Sequence, residues 1–272
     1  MRRHHRRADT GATQPQYPCG CASGGGPGPP PLLPLTRPRK EEGLLADQVA
    51  AAARMLARME YVHAFGHVSA REGDHVWFTP TWPPLGRLTA DRVLLLDLEG
   101  NVVRGERRYR PIEVDLHLGL YRHRPEVGAM CRIHGLGITV WAARRQVPPV
   151  LHGFGGIVGK VAFWDDADLF HNRQMGEDVA AAVGDADAVL MSGNGAIVVG
   201  ADLPQAMVRA WSLEERCKLA LYAGPQGVPF SEEELERRSR WYPGEEKRLW
   251  LWLRAKYGDP EGEYAWAEGP QF

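Results

Sequence analysis

Cysteine is scarce in this sequence of 272 residues: only Cys19, Cys21, Cys131 and Cys217 are present. Four are too few for disulfides to carry a fold of this size, and the usage points to a reducing, cytoplasmic setting. Cys19 and Cys21 could chelate a metal, but no second ligand pair follows them, and a structural zinc takes four ligands. Long apolar runs are missing too. Nothing approaches the roughly 20 apolar residues that span a bilayer, so no membrane association is expected. Neither sign of charge is in excess: 33 basic and 34 acidic residues give a net charge of -1. That balance carries no nucleic-acid footprint. It is uneven, however, because residues 1–40 hold seven Arg and Lys residues against Asp9 alone, leaving the remainder acidic. No apolar segment follows the first arginines, as a secretory signal would require. The Gly/Pro run at 24–31 cannot bury a core. Residues 1–40 therefore read as a disordered Arg/Gly/Pro-rich leader, and 41–272 as one domain including a helical tail.

What is present from residue 44 onward is strongly patterned. Leu45, Val49, Ala52, Ala53, Leu56 and Met59 mark one face of a helix. Residues 67–71 and 75–79 alternate around Glu72-Gly73-Asp74 as a hairpin, and residues 93–97 and 102–103 form a second around Glu99-Gly100-Asn101. A helix is expected from Glu113 to Arg122, bounded by Pro111 and Pro125. An apolar strand at 127–133 precedes a helix near 137–145, and one or two strands fall within 149–163. A helix at 171–183 leads to two apolar strands, 188–191 and 196–199, around Ser192-Gly-Asn-Gly195. Helices at 203–222, from Ser231 (a capping box with Glu234) and at 244–257 complete the chain. Hairpins mixed with strand–helix alternation predict an α/β fold: a mixed central sheet between helical layers.

Several of these stretches, in order and spacing, resemble the class II aldolase/adducin family. They are Gly66-His-Val-Ser-Ala-Arg71, Phe78-Thr-Pro80, Asp97 to Val103, Glu113 to Tyr121, Arg124 to Ala129 leading into Arg132-Ile-His134, and Ala188 to Gly200. The Gly-His-Val-Ser-Ala-Arg form is most similar to the aromatic and heterocyclic carboxylate decarboxylases of that family. The resemblance implies a three-layer α/β/α sandwich, usually a homotetramer with sites at subunit interfaces. It also implies a divalent metal (Zn, Mn or Fe) on three histidines, beside an acidic acid/base residue. Carried over by position, Glu113 is the acid and His134 one ligand. Arg132 and Asn194 stand where the other two histidines belong, so the implied metal site is incomplete. Pro111-Ile112 stand where sugar-phosphate aldolases carry a phosphate-binding serine pair, which speaks against a sugar phosphate.

The substituted residues suggest their own chemistry. A guanidinium cannot ligate a metal, but it offers a permanent charge and paired donors to a carboxylate or enolate. Arg132 is thus expected to replace the metal's charge, with Asn194 on the same oxyanion and Glu113 and His134 moving the proton. Arg132 could also be a structural ion-pair partner of Glu113, and Asn194, between two glycines, a turn residue with positive φ. Alternation puts His67, Ser69 and Arg71 on one side of their strand; the resemblance to the decarboxylases implies that this side faces the substrate, which makes them candidate substrate contacts. His152 could approach as a further contact or replacement ligand, while His117 suits a core hydrogen bond. The tail aromatics Trp241, Trp250, Trp252 and Tyr257 suit either a lid or packing. The expected activity is a lyase on a small hydroxylated or aromatic carboxylate, by decarboxylation first. Retro-aldol cleavage, metal-free isomerisation or cyclisation, and a non-catalytic scaffold of the adducin type remain alternatives.

Overall fold

The computed structural model describes residues 44–259; the leader at 1–40, with Cys19 and Cys21, lies outside them. Eight strands form one sheet in the order β4-β3-β2-β1-β5-β8-β7-β6. They are β1 His67–Glu72, β2 His75–Phe78, β3 Leu94–Asp97, β4 Val102–Arg104, β5 Ala129–Ile133, β6 Val161–Trp164, β7 Ala188–Met191 and β8 Ala196–Gly200. All neighbours are antiparallel except β6 and β7, which makes the sheet mixed. The two expected hairpins are present as β1–β2 and β3–β4. Within 149–163 only β6 forms, extending to Trp164, because the glycines at 153, 155 and 156 take a 3-10 turn instead.

Side-chain alternation sorts the core into two layers. Val68, Ala70, Ala129, Cys131, Ile133, Leu190 and Val198 point to one face. There they meet helices α1 (Leu44–Arg58), α3 (Leu136–Ala143), α5 (Leu203–Ala223) and α7 (Tyr242–Tyr257). Met130, Val189, Met191, Ile197 and Val199 point to the other, against α2 (Val114–His123) and α4 (Arg173–Val183). Helix α6 (Glu232–Ser239) has no fully buried residue and starts with the expected capping box of Ser231 and Glu234. This is the α/β/α sandwich. Trp250 is buried in the first layer, whereas Trp241 and Trp252 are exposed.

Two glycines set how closely α2 packs against α4. A Cβ at Gly119 would lie 2.3 Å from the Gly176 carbonyl oxygen, and one at Gly176 would lie 2.1 Å from the Asp115 carbonyl oxygen. The α2 and α4 backbones therefore touch with no side chain between them. Helix propensity alone would make Gly119→Ala stabilising by about 1 kcal/mol. The clash with backbone reverses that sign, and the variant is expected to lose about 2 kcal/mol. A urea-denaturation midpoint higher than that of the wild type would contradict this account of the α2–α4 contact.

Candidate functional site

The site forms on the α2 face of the sheet, where three chain segments end together. Strand β1 begins at His67, which lies directly opposite Arg132 on β5. Because Arg132 and Met130 are two apart, both side chains face α2. The last β5–β8 pair, Ile133 with Ala196, places the turn between β7 and β8 beside the end of β5. Helix α2 opens above them, with Glu113 at its N-cap position.

Arg132 is the floor of this arrangement, 1% exposed. Its Nη2 lies 3.1 Å from Glu113 Oε1 and donates to Asn194 Oδ1 at 2.7 Å. The second Glu113 oxygen, Oε2, is 3.1 Å from His67 Nε2. Both carboxylate oxygens are thus held from below. His134 follows β5, with its backbone N–H donating to the Tyr61 carbonyl at 2.7 Å. Asn194 does not take the left-handed conformation; the flanking Gly193 and Gly195 do, with φ of 60° and 73°. Gly195 has a second reason to lack a side chain, since a Cβ there would sit 2.8 Å from the His134 ring. Asn194 is therefore free to present its amide, and the positive-φ role falls to its neighbours.

Burial would raise the Glu113 carboxyl, but the His67 hydrogen bond and the Arg132 charge outweigh it and hold it below its ordinary value. Burial, with the Arg132 charge beside it, lowers the His134 imidazole to about 4. His67 is lowered by burial, against the pull of Glu113, and buried His117 is lowered well below its ordinary value. Glu113 is anionic, the imidazoles are neutral, and Arg132 supplies the fixed positive charge. Four buried polar atoms of this cluster have no partner among the described residues: Arg132 Nε and Nη1, Asn194 Nδ2 and His134 Nδ1. Buried polar groups are normally paired, so their concentration in one place marks a site for a polar ligand.

The other expected contacts separate from this group. Ser69 faces α2 but is wholly buried, its hydroxyl 2.8 Å from His117 Nδ1 and 3.0 Å from the Tyr121 hydroxyl. Arg71 reaches the opposite end of α2, donating to the Tyr121 carbonyl at 2.8 Å and stacking over the Tyr121 ring. His152 is exposed, accepts from the Phe154 backbone N–H and packs edge-on against the Phe154 ring. Among the described residues no hydrogen bond or ion pair joins Ser69, Arg71 or His152 to Glu113, Arg132 or His134. Strand alternation gives the face but not the end of a helix that each residue meets.

A residue not singled out from sequence supports the site from behind. Glu214 of α5, 1% exposed, accepts from the backbone N–H groups of Gly137 and Ile138 at 2.9 Å each. It caps α3 just after His134-Gly135, satisfying two otherwise unpaired donors of the helix start. An acidic residue inside an otherwise apolar helix face was the only signal.

Three histidines for a metal are not assembled here. Among the described residues no three His, Cys, Asp or Glu side chains form a metal-holding group. Instead, the Arg132 guanidinium lies 3.1 Å from Glu113 and is hydrogen-bonded to Asn194. A cation placed beside it would be repelled. The residues present do not fit a divalent metal.

Residues 47–221 match the family described as the Class II Aldolase and Adducin N-terminal domain. The L-fuculose phosphate aldolase of Methanocaldococcus jannaschii is 31% identical over 172 residues, covering 62% of this chain and 90% of that protein. The 3,4-dihydroxyphthalate decarboxylase of Arthrobacter keyseri is 28% identical over 200 residues, covering 66% and 79%. The solved L-fuculose 1-phosphate aldolase from Glaciozyma antarctica superposes with a TM-score of 0.68 at 20% identity, covering 83% of this chain and 97% of that one, and so shares the fold.

The depressed imidazoles make stability depend on pH. A histidine whose folded pKa lies below its unfolded value stabilises above the unfolded value, 6.5, and this is lost as pH falls toward the folded one. For His134 the window runs from 6.5 to about 4. Its share of the loss by pH 5 is about 2 kcal/mol. Denaturation midpoints should fall steadily from pH 7 to pH 5, and less steeply in a His134→Gln variant. Equal slopes for both proteins would show that His134 is not held neutral by the fold.

Proposed function

The chain belongs to the class II aldolase and adducin family, and we propose that within it the protein is a carbon–carbon lyase. Its substrate is a small hydroxylated or aromatic carboxylate, cleaved by decarboxylation through an enolate-like intermediate. The observation that carries this reading is the buried Arg132 guanidinium, fixed between Glu113 and Asn194 beside the end of β5. Relatives named as sugar-phosphate aldolases and as carboxylate decarboxylases both break a carbon–carbon bond and leave an electron pair on carbon. That pair needs an electron sink with positive charge nearby.

In the proposed reaction the bond to the carboxylate breaks, CO2 leaves, and the electron pair moves into the adjacent carbonyl, which in a hydroxyarene is the keto form reached when the ring carbon first takes a proton and the ring hydroxyl gives one up. The developing enolate oxygen is stabilised by the Arg132 charge in a low-dielectric setting and by the Asn194 amide. Glu113 passes a proton from water to the carbon that loses CO2, and neutral His134 hydrogen-bonds the substrate at the lip of the site. Pro111 and Ile112, just before Glu113, offer no hydroxyl for a phosphate, which favours a carboxylate over a sugar phosphate. The proposed assembly is a homotetramer, for which exposed Phe154, Trp241, Leu251 and Trp252 supply apolar surface. Among the described residues no helix is long and apolar enough to cross a membrane.

The test uses the purified protein with 3,4-dihydroxyphthalate and L-fuculose phosphate as probes, before and after chelation, with elemental analysis of the same samples. CO2 release that survives chelation is expected, with Glu113→Gln lowering kcat by about 100-fold or more at unchanged ligand affinity. Near-stoichiometric Zn, Mn or Fe whose removal abolishes turnover would replace this reading with metal-dependent chemistry. A folded Arg132→Ala protein with full turnover would end the role given to Arg132.

A further inference from the structure

The Glu113 oxygen that Arg132 does not hold is served by a short chain of hydrogen bonds running back into the sheet. Thr79 follows β2, is fully buried, and is tied to β1 by two bonds. Its backbone N–H donates to the Val68 carbonyl at 3.1 Å, and its Oγ1 accepts from the Val68 backbone N–H at 3.1 Å. Since Oγ1 already accepts there, the hydroxyl proton is available to be donated. The partner in reach is His67 Nδ1, 3.4 Å away. A ring nitrogen that accepts carries no proton, so the proton of the neutral ring sits on Nε2. Nε2–H points at Glu113 Oε2, 3.1 Å away.

The ring has little freedom to do otherwise. It is 6% exposed, packs against Phe78 with centroids 5.4 Å apart, and meets His117 edge-on at 6.3 Å. Gly66 just before it takes φ +122°, and a Cβ there would collide with Val62 at 2.4 Å. That close approach fixes where β1 begins. On the site side, the hydrogen-bond partner of His67 among the described residues is Glu113.

We propose that His67 is a positioning residue: the Val68–Thr79–His67 relay fixes the Nε2–H tautomer, and that proton orients the Glu113 carboxylate for proton transfer. His67 then acts through Glu113 and does not contact the substrate. The proposal rests on the reading of Glu113 as proton carrier.

The test has one arm that needs no substrate. Ring-15N NMR of the full chain at pH 7 is expected to show His67 as the Nε2–H tautomer, with Nδ1 an acceptor. Thr79→Val should shift it toward a tautomer mixture, and Thr79→Ser should restore the wild-type pattern. A wild-type His67 ring that is doubly protonated or carries its proton on Nδ1 would overturn the relay. The second arm uses whichever probe the protein turns over. His67→Gln keeps an N–H at the position of Nε2 and should hold kcat within about threefold, whereas His67→Leu should lose about 100-fold in kcat at unchanged KM. Equal losses in the Gln and Leu variants, or a loss confined to KM, would overturn the positioning role. A protein inactive on both probes but carrying the Nε2–H ring would sink the functional reading while upholding the relay.

Discussion

The constraint on which the site depends is a full positive charge buried beneath it. A guanidinium at 1% exposure is tolerable only if it is paired, because the cost of removing an ion from water exceeds most single interactions in a protein. Arg132 finds its partners on two other segments: Glu113 at the start of α2 and Asn194 in the β7–β8 turn. Strand β5, helix α2 and the turn are thereby tied at one point. None of the three can shift without leaving a charge or an amide unpaired, and breaking such a pair typically costs about 3 kcal/mol or more. The site is rigid for the same reason that it is charged.

Backbone devices around that point keep the approach close. Gly195 lets the turn lie against the His134 ring, and Gly119 with Gly176 lets the α2 and α4 backbones touch. Glu214 acts from the opposite layer, holding the first turn of α3 and so the chain just beyond His134. Burial pushes the Glu214 carboxyl up, while the two backbone N–H groups and Lys218 draw it down. A carboxylate placed at a helix start with two N–H partners meets both the donor deficit and the helix dipole. Both helical layers therefore bear on one cluster of side chains.

Much of this was legible in the sequence, and what was not has a physical reason. Strand alternation is a local property, so the facing of His67, Ser69 and Arg71 toward one side follows from sequence alone. Which end of α2 each would meet depends on strand register and helix placement. Those are non-local, and they send Arg71 to Tyr121 and seal Ser69 beneath His117. Glycines at 193 and 195 announced a turn, but not that they would take both left-handed positions and release Asn194 from that duty. His152 lies in a glycine-rich stretch that forms a 3-10 turn packed on α5 and α6, a placement set by non-local contacts that the sequence does not display. Thr79 carried no signal of its own: its role exists only because β1 and β2 pair in the register that sets it beside His67.

A fixed guanidinium differs from a metal ion in ways that bear on the substrate. A metal accepts lone pairs and so can chelate two substrate oxygens; a guanidinium accepts none and offers only N–H donors and charge. Its charge also needs no proton or ligand exchange to appear, and in this fold it is paired with Glu113. An incoming carboxylate or enolate competes with Glu113 for the same positive charge. On the proposed reading, the arrangement suits substrates that bring or develop their own anion better than neutral hydroxy-ketones that depend on chelation. That preference follows from the Arg132–Glu113 pair itself, and it is why the proposed chemistry is loss of CO2 from an acid ahead of aldol cleavage.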